Sequence, residues 1–189
     1  MQTYPAIFTD RFGTEQTEIF SDGSCMYLTL RGIDFEGSDF EALSGIIDDD
    51  KFDYVKYEDG SGDLTHFALT VTLPLVLFDK LTQTTSTEKL TVYVVVGKLT
   101  TIDGLDSEIT SLSLSTSFGN FSFDKKLEWM EDALIGLQNN LPDHIYLKNC
   151  LSCKFSNYHP VGNGMFGAMC CFKNYKAEVE LLTSKYDLM

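Results

Sequence analysis

Phe67-Ala68-Leu69-Thr70-Val71-Thr72-Leu73 alternates large apolar residues with smaller or polar ones, and Leu90-Thr91-Val92-Tyr93-Val94-Val95-Val96 repeats the pattern. Successive side chains of a strand point to opposite faces of its sheet, so this period of two reads as strands with one buried face. The reading extends outward in both directions. Met26, Leu28 and Leu30 alternate with Tyr27, Thr29 and Arg31, and Leu112 and Leu114 alternate with Ser111, Ser113 and Ser115. Turn chemistry falls between these runs at Asp22-Gly23, Asp59-Gly60-Ser61-Gly62, the Thr/Ser run Thr82 to Thr87, Asp103-Gly104 and Gly119-Asn120. The pattern predicts an α+β fold that is predominantly antiparallel β, with a sandwich-like sheet.

One segment breaks the period. Leu127, Met130, Leu134 and Leu137 form an apolar stripe at helical spacing, Asp124 can cap it, and Asn139-Asn140-Leu141-Pro142 ends it. One main helix is therefore expected near 124–138, with Trp129 packing beside the stripe. A short helix is expected around Phe40 to Ile47, and a helical or extended piece from Tyr175 to Lys185. The 189 residues read as a single domain, β-rich over 1–123, with the helix and a cysteine-rich segment over 124–189 packed on it.

Hydrophobic residues make up 43% and charged residues 22%, a composition that can bury a core. The first residues lack a basic stretch followed by an apolar one, so no signal peptide is expected. The longest apolar run, Leu73 to Phe78, is far short of the ~20 residues that span a bilayer. The expectation is a cytoplasmic protein with no membrane partner.

The net charge of −14 is unevenly spread. Met1 to Asp63 holds 15 acidic and 4 basic residues, whereas Leu64 to Met189 holds 13 and 10. Such a field repels nucleic acid and steers basic partners, although solubility alone would also account for it. Its densest stretch carries Asp48, Asp49, Asp50, Asp53, Glu58, Asp59 and Asp63 on an expected exposed loop or hairpin. This is the expected partner-binding set. It lacks the ligand spacing of an EF-hand loop.

Cys150, Cys153, Cys170 and Cys171 cluster near the C-terminus, with His159 between the pairs. A C-x-x-C pair can grip zinc from one turn, and His159 with Cys170 or Cys171 would complete a tetrahedral shell. Adjacent residues on a strand face opposite ways, which argues against Cys170 and Cys171 ligating together. Small buried thiols beside a glycine-rich turn are the competing reading. The expected cofactor is none, with zinc as the alternative. His66 sits on a strand pattern and His144 at a strand start; among these and His159 no catalytic arrangement emerges, and no nucleophile elbow or H-E-x-x-H occurs. The chain is expected not to be an enzyme.

The run Leu127 to Pro142, then Ile145-Tyr146-Leu147-Lys148, then C-x-x-C-x-x-S-x-Y-x-P-x-G-x-G-x-F-G-x-x-x-C from Cys150 to Cys171, resembles a small uncharacterised bacterial family of unknown function. That likeness covers the last third of the chain. Small acidic proteins of this class are similar in size and charge to immunity proteins of interbacterial toxin systems. The similarity implies a non-catalytic cytosolic binding protein that neutralises a basic toxin by stoichiometric occlusion, a small zinc metalloprotein being the alternative.

Overall fold

The computed structural model describes residues 2–40, 42–47, 50–98, 108–124, 130–158 and 169–181. The strands in chain order are β1 (Gln2–Asp10), β2 (Gly13–Ser21), β3 (Met26–Leu30), β4 (Ile33–Gly37), β5 (Ser44–Ile46), β6 (Tyr54–Lys56), β7 (Ser61–Leu64), β8 (Phe67–Asp79), β9 (Thr84–Val96), β10 (Glu108–Thr116) and β11 (Gly119–Phe123). Helix α1 (Met130–Asn140) follows, then β12 (Ile145–Leu147), β13 (Ser156–Tyr158), β14 (Met169–Cys171) and α2 (Lys176–Glu180). Every recorded strand pairing is antiparallel among the described residues, so the expected class holds. Twelve strands form one hydrogen-bonded path, β11-β10-β9-β8-β1-β2-β3-β4-β5-β7-β6, with β12 joined to β8.

The chain divides into two compact units. The first is Met1–Pro74 with Glu88–Asn140, and the second is Leu75–Thr87 with Leu141–Met189. Strand β8 shows why the boundary falls where it does. Its residues 68–71 pair with β1 and its residues 77–79 pair with β12. Pro74, which has no backbone donor for a ladder, stands between the two pairings.

In the first unit the alternation predicted for the strands becomes the core. Leu28, Leu30, Leu69, Val71, Leu90, Val92, Val94, Leu112 and Leu114 are all buried. Each such side chain contributes about 1.5–3 kcal/mol on leaving water. A phenylalanine cluster extends this core: Phe8 stacks on Phe67 at 5.3 Å, and Phe52 meets Phe8 and Phe35 edge-on at 6.2 and 5.3 Å. Helix α1 buries Ala133 and Leu137 and packs on β10 and β11. Gly136 lets the Phe123 ring lie on the helix backbone, since a methyl group there would sit 2.1 Å from the ring. The helix ends with Asn140 donating its side-chain amide to the Ser122 carbonyl of β11 at 2.8 Å. Asp124 is separated from the described helix by residues 125–129. Trp129 and the Asp103-Gly104 turn also lie outside the described residues.

One ion pair is sealed into this unit. Arg31 grips both carboxylate oxygens of Asp10 at 2.7 Å each, and the Asp10 side chain is 2% exposed. Its guanidinium lies 4.7 Å from the Phe52 ring centre and 5.6 Å from that of Phe8, and it also donates to the Lys51 carbonyl. The Arg31 backbone takes a left-handed φ of +50°, and its N–H is held by the Glu15 carboxylate at 3.1 and 3.2 Å.

In the second unit β12 lies along the end of β8, with Lys148 N–H donating to the Val76 carbonyl and Lys80 N–H to that of His144, both at 2.8 Å. Leu75, Leu77, Leu141, Ile145 and Leu147 are buried there. Strands β13 and β14 form a separate two-stranded ladder.

Three expectations need correction. Phe40 to Ile47 does not form a helix: Ser44–Ile46 is strand β5, drawn against β4 because Gly45 has no side chain. A Cβ there would meet the Asp34 carbonyl at 2.7 Å and the Phe35 ring at 2.8 Å. The turn expected over Thr82–Thr87 lies earlier. Asp79 accepts the Leu81 N–H, Gln83 turns at φ +58°, and Thr84 to Thr87 join β9, as the branched side chains of Thr84, Thr85 and Thr87 favour. His66, read as part of a strand, is the bend between β7 and β8, at φ +56°.

Candidate functional site

The outer face of β2, β3, β4, β5 and β7 carries an unusual row. Register places Phe20 opposite Tyr27, Tyr27 opposite Glu36, Glu36 opposite Ser44, and Ser44 opposite Asp63. Directly opposed residues of an antiparallel pair share a face, so this line crosses five strands side by side. Beside it lie Thr29 opposite Asp34 and Ile46 opposite Ser61. All of these but Asp63 line an open trough of about 470 Å³.

The trough mixes exposed apolar surface with acid. Phe20 is 37% exposed and Ile46 is 68% exposed, while Tyr57, beyond β6, is also exposed. Asp34 and Glu36 are exposed on β4. Asp34 accepts the Thr29 hydroxyl at 2.6 Å, and neither acid has a cationic partner among the described residues. The β2–β3 turn adds Asp22, whose carboxylate accepts the N–H groups of Ser24 and Cys25 at 2.8 Å each. Those backbone donors, that of Cys25 first, hold its pKa below the ordinary value. The Asp22 charge in turn raises the pKa of Tyr27, whose hydroxyl donates to it at 3.3 Å. Tyr27 thus stays a neutral donor in the trough floor.

The expected acidic set distributes differently. Of its described members, Glu58 and Asp59 lie between β6 and β7 and Asp63 lies on β7, the hairpin of the two expected forms. Asp63 closes the trough row, accepting from Ser44 and from the Tyr57 hydroxyl, the latter at 2.5 Å. Asp59 builds the hairpin turn by accepting the Ser61 hydroxyl at 2.6 Å and its N–H at 2.9 Å, and these bonds lower its pKa. Asp53 turns away from the trough and accepts Arg11 Nε at 2.9 Å, with His66 Nδ1 at 3.6 Å. Asp50 and Glu58 are exposed, and Asp48 and Asp49 lie outside the described residues. The trough residues Phe20, Asp34, Glu36 and Ile46 were missed as a site because they are scattered over 27 positions and meet only through register. The outward place of Tyr27 in its alternating run was the available signal.

The cysteine segment gives part of the expected arrangement. Cys153 N–H donates to the Cys150 carbonyl at 3.1 Å, so the C-x-x-C pair occupies one tight turn, and both residues are exposed. Ser156, which donates its hydroxyl to the carbonyls of both, pairs across the ladder with Cys171, also exposed. Cys170 pairs with Asn157 on β14, and His159 lies outside the described residues. Among the described residues no three His, Cys, Asp or Glu side chains converge as metal ligands.

No described helix is long and apolar enough to cross a membrane. No curated protein and no solved structure matches the chain. A family model does match, from residue 2 to residue 156, so it reaches Cys150 and Cys153 but stops before most of the cysteine motif. That match spans most of the sequence, and the chain belongs to this family of unknown function, DUF6304.

Proposed function

We propose that the chain is a non-catalytic cytoplasmic binding protein that takes a basic protein partner on the outer face of β2–β5 and β7. The observation that carries this reading is the trough, where exposed Phe20 and Ile46 and half-buried Tyr27 share one surface with Asp34 and Glu36, and Asp63 continues the row. Contiguous apolar surface rimmed by charge favours association, because aromatic anchors supply affinity and acidic side chains steer a cationic partner. The biological role we assign is that of an immunity protein, occluding a bacterial toxin one to one. A bacterial source and the cysteine motif as a family mark belong to the same proposal. Nucleic acid and membrane are not partners in this reading, since the acidic field opposes both.

The test is capture of a partner from the native cell by the tagged chain, beside its D34K/E36K variant. A basic protein held by the wild type and released by the charge reversal, with an on-rate that falls steeply with salt, is the expected result. Equal capture by both forms, or an on-rate flat across ionic strength, would overturn it.

A second reading rests on the Cys150–Cys153 turn, whose geometry suits two ligands of a zinc ion completed by His159 and Cys170 or Cys171. It predicts about one zinc per chain after chelator-free purification, with the clustered thiols protected from alkylation. Metal-free protein with reactive Cys150 and Cys153 would refute it.

A further inference from the structure

In an acidic protein, one cleft of the first unit brings basic side chains together. It is an open cleft of about 570 Å³ whose lining includes Arg11, His66, Ala68, Val95 and Lys98. Arg11 is the central group. Its side chain is 62% exposed, rests 4.3 Å from the Phe12 ring centre, and is oriented by the bond from Nε to Asp53. That bond uses one of five donors. The two terminal amino groups of Arg11 have no partner among the described residues. His66 approaches the same Asp53 oxygen as Arg11 and is fixed by its left-handed backbone and by its N–H on the Gly97 carbonyl at 2.9 Å. With Nδ1 toward Asp53, its Nε2 is the ring nitrogen left for a ligand. Half-buried Ala68 and Val95 give an apolar wall.

Two carboxylates sit close by, and both are engaged. Asp10 is gripped by Arg31 and Asp53 by Arg11. Non-glycine residues in left-handed backbone cost free energy and concentrate at functional sites, and His66 lies in this cleft with Arg31 directly behind it through Asp10. A guanidinium fork oriented by one bond and stacked on a ring matches the geometry of a planar or tetrahedral oxyanion. The volume falls in the range of small-molecule sites, too large for a bare ion. We propose that this cleft binds a small organic oxyanion, a carboxylate or phosphate carried on an apolar body.

The experiment is an amide-resolved NMR titration of the full chain with phenyl phosphate, with benzoate, and with neutral benzyl alcohol. Saturable shifts at residues 9–11, 66–68 and 95–98 with an anion, and none with the alcohol, are expected. The tighter anion identifies the headgroup. Arg11→Ala and the milder Arg11→Lys should each weaken binding, the alanine variant about tenfold or more, as loss of a charge-assisted hydrogen bond does. Asp53→Asn, which removes the competing carboxylate, should bind at least as tightly as the wild type. No saturable shift with either anion, unchanged affinity in both Arg11 variants, or weaker binding by a folded Asp53→Asn protein would each overturn the proposal. Trough variants such as Glu36→Lys should leave this titration unchanged, so its result is independent of the fate of the partner reading.

Discussion

Asp10 and Glu36 belong to the same unit, and their carboxylates lead opposite lives. Asp10 is almost wholly out of water, with both oxygens on Arg31 and phenylalanine rings around the pair. Glu36 stands in water beside Tyr27 and Ser44, with no cation recorded opposite it. A buried charge survives only where a partner offsets its desolvation, so the Asp10 end of the unit is charge-matched by necessity. An exposed acid has no such requirement. Where two of them, Asp34 and Glu36, line a trough beside exposed Phe20 and Ile46 with no cation opposite among the described residues, the fold has not consumed their charge, and it remains for something outside the chain.

Breaking the matched end should have the largest effect. Arg31→Met leaves the buried Asp10 charge with no cation, only the N–H groups of Phe12 and Gly13, and should destabilise the protein by about 3–5 kcal/mol, read as a fall in the urea midpoint. Pairing it with Asp10→Leu should recover part of that loss, the remainder being the two turn bonds that Asp10 accepts. The trough's own frame comes next. Gly45→Ala drives a methyl into the Asp34 carbonyl and the Phe35 ring, and should cost about 1–3 kcal/mol by prising β5 from β4. The D34K/E36K variant should sharpen the contrast from the other side. Its stability should stay within about 0.5 kcal/mol of wild type for each exposed substitution, while partner capture is lost.

The smallest effect concerns Asp22, at the trough's end. Its folded pKa lies below the unfolded value, so its turn bonds stabilise the protein above the ordinary carboxylate range and are lost as pH falls through the folded pKa. The urea midpoint of the wild type should therefore decline toward that of Asp22→Asn as the solution is acidified below about pH 4. Curves that stay parallel would show that the turn draws nothing from the charge.

The strands whose alternation is strict were legible almost residue by residue: Phe67, Leu69 and Val71, and Leu90, Val92, Val94 and Val96, are buried where the period placed them inward, while Leu73, next to Pro74, is half-buried. Helix α1 was legible too, although Ala133, a small residue outside the expected stripe, is buried with Leu137. The β1–β2 hairpin left no comparable trace. Only Ile19 of β2 is buried, and Thr14 to Glu18 are all Thr, Glu or Gln, so its place in the sheet is set by pairing with β1 rather than by its own pattern. Strand β5 was misread because its key residue, Gly45, acts through the side chain it lacks. The candidate site shows the same limit. Charge density along the chain pointed to Asp48–Asp63, but charge density in space depends on register. Register brings Asp34 and Glu36 beside Phe20 and Tyr27 and directs Asp53 elsewhere.

Asn140 carries a consequence beyond helix termination. The last strand of a sheet is where a neighbouring molecule can add its own strand. By occupying the Ser122 carbonyl, the Asn140 amide blocks one rung of such a template, and the strand at the other end, Tyr54–Lys56, is only three residues long. A concentrated solution of this protein should therefore stay clear on storage, and the variant Asn140→Ala, more than any substitution in the trough, should be the one that turns it cloudy.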